Sequence, residues 1–88
     1  MFTSWGVETV RKFSEKELEA ILTALDGETY GIVLRAKGII PASDGGWIHF
    51  DYTPGEAEVR MGAADYTGRL CVIGAQLNEA AVAALFKL

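Results

Sequence analysis

Apolar residues recur along this chain with two different periods. Leu18, Ile21, Leu22 and Leu25 fall at i, i+3, i+4 and i+7, which lines one face of a helix. Ser14 and Glu17 ahead of them have capping-box spacing. The serine oxygen can accept from the Glu17 amide, and the glutamate can reach back. Phe13 and Leu18 stand in hydrophobic-staple positions. Asp26-Gly27 predicts the stop, with Gly27 supplying the left-handed residue. A second helix closes the chain, capped by Asn78, with Leu77 and Val82 as its staple. Val82, Leu85 and Phe86 form its buried stripe, and its alanines allow close approach to a sheet.

Between the helices the period changes to two. Gly31–Ile40 reads as a strand, and Trp47–Tyr52 as another, entered by the turn Asp44-Gly45-Gly46. Thr53-Pro54-Gly55 turns the chain into a third, Glu56–Met61, which makes a hairpin. Arg69–Gly74 is a short fourth strand. Phe2–Val10, rich in Val, Thr and aromatics, is a strand before the first helix. The order is β-α-β-β-β-β-α. The expected fold class is α+β: a small mixed, mostly antiparallel sheet with two helices packed on one face. The opening strand, helix and strand should form a right-handed unit.

Alternation also sorts the strand residues by face. Ile48, Phe50 and Tyr52 point one way, with Ala57, Val59 and Met61 as their cross-strand neighbours. Ile32, Leu34, Ala36 and Ile40 join them under the helices. Trp47, His49, Asp51, Glu56, Glu58 and Arg60 point the other way, as do Val33, Arg35, Lys37 and Ile39. That second face is amphipathic. It reads either as an ordinary solvated sheet surface or as a docking surface, since exposed Trp and Arg are common interface anchors.

Composition narrows the class. Eighty-eight residues, half of them apolar and 23% charged, fit one globular domain with a small core. The longest apolar run, Ala80–Phe86, is seven residues, far short of the ~18 a membrane span needs. Twelve acidic side chains oppose eight basic ones, for a net charge of −4. The basic residues are scattered, so neither a nucleic-acid nor a membrane partner is expected. The single cysteine, Cys71, cannot close an intramolecular disulfide. No signal peptide is visible, so the cytoplasm is the expected compartment.

Candidate chemistry is sparse. There is no Gly-x-x-x-x-Gly-Lys-Ser/Thr stretch to cradle a triphosphate. One histidine cannot build a Ser-His-Asp or Cys-His grouping, so no catalytic residue is assigned. Cys71 lies in an apolar strand and reads as a buried small hydrophobe. His49, Asp51 and Glu58 could converge on one face around a divalent metal, though zinc usually takes several Cys or His ligands. Arg35 and Lys37 could meet a partner's carboxylates, or pair across strands with Asp51 or Glu58. Asp65–Arg69 is turn chemistry, with Tyr66 plugging an edge of the core.

Val33-Leu34-Arg35-Ala36-Lys37-Gly38 contains an Arg-x-Lys-Gly signature that resembles the C-terminal domain of CobW-type P-loop GTPases. Gly46–Glu56 is similar to the hairpin of the shorter members. Asp65–Leu70 with Val72-Ile73-Gly74 is similar to their Gly-Arg strand before the last helix. Leu77-Asn78-Glu79 followed by Leu85-Phe86 is similar to the closing helix, and Phe13 fits the start of the first one. The resemblance covers nearly the whole chain. It implies a single CobW C-terminal-like domain over residues 1–88, with the GTPase domain absent from this chain. It also implies that Met1 is not the natural start.

Family members are proposed metallochaperones or metal-insertion GTPases, linked to cobalamin synthesis, zinc homeostasis and nitrile hydratase activation. Their N-terminal domain holds the phosphate loop and a Cys-x-Cys-Cys metal motif, and neither is present here. The resemblance therefore places GTP, Mg and a transition metal in the missing domain and no cofactor in this one. It implies an interaction and regulatory domain that is not itself an enzyme. Its partners would be the N-terminal GTPase domain of the same protein or a client metalloprotein, met through Arg35, Lys37, Trp47, His49, Asp51 and Arg60. Two other readings are a metal-binding domain using His49 and neighbouring carboxylates, and a stand-alone ligand-binding protein.

Overall fold

The computed structural model describes all 88 residues. Strand β1 (Phe2–Thr9) leads to helix α1 (Glu15–Ala24), and a 3-10 turn (Glu28–Tyr30) leads to β2 (Ile32–Pro41). The chain then forms β3 (Trp47–Thr53), β4 (Glu56–Met61), β5 (Gly68–Ala75) and α2 (Glu79–Leu85). No helix is long and apolar enough to cross a membrane. The strands form one sheet in the order β1-β5-β2-β3-β4. All four neighbouring pairs are antiparallel. β1 and β2 run the same way, but β5 lies between them.

The caps form where the spacing predicts. Ser14 Oγ accepts from the Glu17 amide at 3.0 Å, and Asn78 Oδ1 accepts from the Ala81 amide at 3.1 Å. The reciprocal half of the capping box is replaced. The Glu17 carboxylate takes Arg11 Nη2 at 2.6 Å and lies 3.7 Å from Lys87 Nζ. The Arg11 hydrogen bond holds the Glu17 carboxyl below its ordinary range. Gly27 does not carry the left-handed turn: its φ is −78°, and it caps the 3-10 turn. That turn delays the chain reversal to Gly31 (φ +91°), where an added Cβ would run into the Gln76 carbonyl.

Sixteen hydrophobic residues form the core, and no polar or charged residue is buried in it. Phe86, just past α2, stacks its ring 6.3 Å from those of Trp5 and Phe50 and meets Phe13 edge-on at 6.3 Å. A second tie joins α1 to the hairpin. Asp26 Oδ1 accepts from the Tyr52 hydroxyl at 2.6 Å and from the Gly55 amide at 3.0 Å. These bonds lower the Asp26 pKa, and burial followed by the Asp26 carboxylate pushes the Tyr52 hydroxyl well up.

β2 departs from the expected alternation. Its register against β5 shifts between Val33 and Arg35, so Leu34 and Arg35 together oppose Ile73. The extra residue inverts the phase of the strand's first part. Val33 is buried, while Ile32 and Leu34 are 57% and 37% exposed. The hairpin register is as expected, with Ile48 opposite Met61, Phe50 opposite Val59 and Tyr52 opposite Ala57. Of the three β4 residues only Val59 packs on the core; Ala57 and Met61 stay exposed on this edge strand. Tyr66 plugs nothing and is 88% exposed. Cys71 is only half-buried, because Leu70 and Val72 take the core-facing positions of β5.

A candidate interaction face

The small residues of the Arg-x-Lys-Gly segment explain its large ones. Ala36 and Gly38 face the core, where a Cβ on Gly38 would stand 2.5 Å from the Phe50 ring. Arg35 and Lys37, the alternate residues, are therefore held on the face that carries no helix. The register places His49 between Ile39 and Arg60, Asp51 between Lys37 and Glu58, and Trp47 beside Pro41. Arg35, Lys37, Trp47, His49, Asp51 and Arg60 thus share one sheet face.

Most of their charge is already matched. Arg60 Nη1 lies 3.1 Å from Asp51 Oδ2 and 3.0 Å from Glu58 Oε1, and Arg35 Nη2 lies 3.5 Å from Asp51 Oδ1. Arg69 on β5 pairs with Asp65 at 3.3 Å. All are substantially exposed, the regime in which each pair contributes ~0–1 kcal/mol. Lys37 stands opposite Asp51 in register but takes part in none of the ion pairs. It lines a depression of about 330 Å³ with Ile39, His49, Arg60, Arg69 and Cys71. A wider hollow of about 750 Å³ lies at the hairpin end, between Arg35, Asp51, Glu56 and Glu58.

His49 is engaged as well. Its Nε2 lies 2.9 Å from the Ala63 carbonyl, which only accepts, so this nitrogen carries the proton. The loop after β4 rests on the imidazole so closely that a Cβ at Gly62 would stand 2.5 Å from the ring. The three candidate metal ligands are engaged with other groups. The His49 Nε2 holds a loop, the Asp51 and Glu58 oxygens hold arginines, and no group of three His, Cys, Asp or Glu is placed to hold an ion.

The open face also carries an apolar strip that the alternation did not reveal. Phe2, Ala75 and Ile32 lie in one row across β1, β5 and β2, and Ser4, Ile73 and Arg35 in the next. Phe2 is 68% exposed and Ile73 36%, beside the outward Ile32 and Leu34. The available signal was the run Ile32-Val33-Leu34. Three consecutive apolar residues cannot all obey a period of two.

The profile of the cobalamin synthesis protein cobW C-terminal domain matches residues 2–87. Among solved structures, the Zn(II)-bound YjiA GTPase from E. coli matches with a TM-score of 0.80 over 98% of this chain at 21% identity. A Zn(II)-bound triple mutant of the YjiA GTPase matches with a TM-score of 0.79, also at 21% identity. This chain spans 29% of the length of each. No curated protein sequence matches it.

Proposed function

This chain belongs to the CobW C-terminal domain family, and from that premise we propose that it is the interaction and regulatory domain of a metal-related CobW-type GTPase. It is not itself a catalyst, being the C-terminal domain and lacking a phosphate loop. GTP, Mg and a transition metal belong to the other domain of such a protein, and delivery of cobalt or zinc, or a step of cobalamin metabolism, is the task it would serve in the cytoplasm. The open sheet face docks the GTPase domain, with a client metalloprotein as the second partner.

The observation that carries this reading is the pairing of a complete core on one face with an uncovered face on the other. The covered face buries all sixteen core residues. The open one presents Arg35, Lys37, Trp47, His49, Asp51 and Arg60 with no helix packed over them; only the loop after β4 rests on His49. Exposed arginine and a half-buried tryptophan on a rigid sheet suit recognition of another protein surface. Arg35→Glu/Lys37→Glu tests it. Titration against a GTPase domain of this family from the same genome should show weakened binding with an unchanged melting temperature. Binding equal to that of the unaltered chain sinks the assignment of these two residues.

A further inference from the structure

The apolar half of the open face has a shape and a charge pattern of its own. It spans three strands, with β5 in the middle and β1 and β2 as flanks. The flanking strands are about 10 Å apart, given ~4.8 Å between neighbours. That width matches the ~10–12 Å diameter of an α-helix with its side chains. The floor is Cys71, Ile73 and Ala75. The β1 side is low, because Ser4 and Gly6 stand there, and Phe2 and Ile32 close one end. Along the β2 side run Arg35 and the unpaired Lys37. The hairpin half of the same face has neutralised its charges internally, so it offers a partner little net attraction.

We infer that the β1–β5–β2 trough seats an amphipathic helix of the GTPase domain. The helix lays its apolar stripe on Phe2, Ile32 and Ile73 and turns an acidic flank toward Lys37. The inference rests on the docking reading above and says which half of the face bears it. The GTPase domain is the occupant because of how the fold is entered. In a C-terminal domain the polypeptide arrives through β1, and Phe2, the first residue of β1, is part of the strip. The preceding domain is therefore tethered beside the trough. Four large apolar side chains exposed together, Phe2, Ile32, Leu34 and Ile73, form the kind of patch that marks an interface.

The test is titration calorimetry of the 88-residue chain, which has its own closed core, against that GTPase domain. Ile32→Thr/Ile73→Thr keeps β-branched side chains but removes apolar contact, and should weaken binding by about tenfold or more. Lys37→Glu should weaken it by roughly two- to fivefold. Amide exchange of the unaltered complex should show new protection at Ile32–Arg35 and Cys71–Ala75, a readout independent of any variant's folding. Undiminished binding by the threonine variant, or protection confined to β3 and β4, overturns the trough and leaves the docking reading standing. Absence of any binding by the unaltered chain overturns both.

Discussion

β3 shows both environments of the sheet within seven residues. Ile48, Phe50 and Tyr52 are sealed under the helices at 0–2% exposure. Trp47, His49 and Asp51, one step along, stand half-buried on the open face, Trp47 opposite Pro41, His49 between Ile39 and Arg60, and Asp51 between Lys37 and Glu58. Geometry is the same for both sets; only what covers them differs. The covered set contributes through apolar area removed from water and through tight packing. The open set contributes polar pairs that water already satisfies. Stability should therefore be concentrated on one side of the sheet, leaving the other free to vary with a partner.

The sharpest way to break that contrast is Phe50→Ala. It removes a ring packed against Phe86 and the Gly38 backbone and should cost about 3–5 kcal/mol in urea unfolding. In a domain this small, that is most of the stability. A cost below about 1 kcal/mol would mean that the covered face is not where the fold is held. Tyr52→Phe probes the rim between the two environments. Losing the bond to Asp26 should cost about 1 kcal/mol near neutral pH.

The same bond sets two pH limits. The lowered Asp26 pKa contributes stability above the carboxylate range that fades as pH falls through it. The raised Tyr52 pKa contributes stability below about pH 10 that fades as pH climbs past it. Melting temperature measured against pH should therefore fall at the alkaline end in the unaltered chain and flatten there in Tyr52→Phe. The smallest effect belongs to the open face. Arg60→Ala removes two ion pairs yet should change unfolding free energy by only about 0.5 kcal/mol. A loss beyond about 1.5 kcal/mol would show that the open-face charges support the fold after all.

Local chemistry was readable from the residues alone. The Ser14 and Asn78 caps, the Asp44–Gly46 turn, the hairpin register and every element of the order follow from short-range spacing. The convergence of Arg35, Lys37, Trp47, His49, Asp51 and Arg60 on one face followed from parity, because no bulge interrupts β3, β4 or the later part of β2. What escaped was set by distant segments. The phase change at Val33–Arg35 depends on how β2 meets β5, and it moved Ile32 and Leu34 from the core to the open face. Cys71 changed sides for a related reason: in a run of apolar residues, only pairing tells which alternate set is covered. Gly27 had the right identity for a left-handed turn, but the 3-10 turn that follows placed the reversal at Gly31. The loop carbonyl held by His49 could not be inferred, since nothing in the sequence of Gly62–Asp65 announces its path.

The insertion of β5 between β1 and β2 bears on how the chain comes into being. β1 is made before the other strands of this sheet and has no sheet partner except β5, which ends only at Ala75. At ~5–20 residues per second, the ribosome leaves β1 unpaired for several seconds while the middle of the domain emerges. During that interval β2, β3 and β4 can already form a meander. β5, the last strand of the sheet to be made, then inserts between β1 and β2, and Phe86 closes the core behind it.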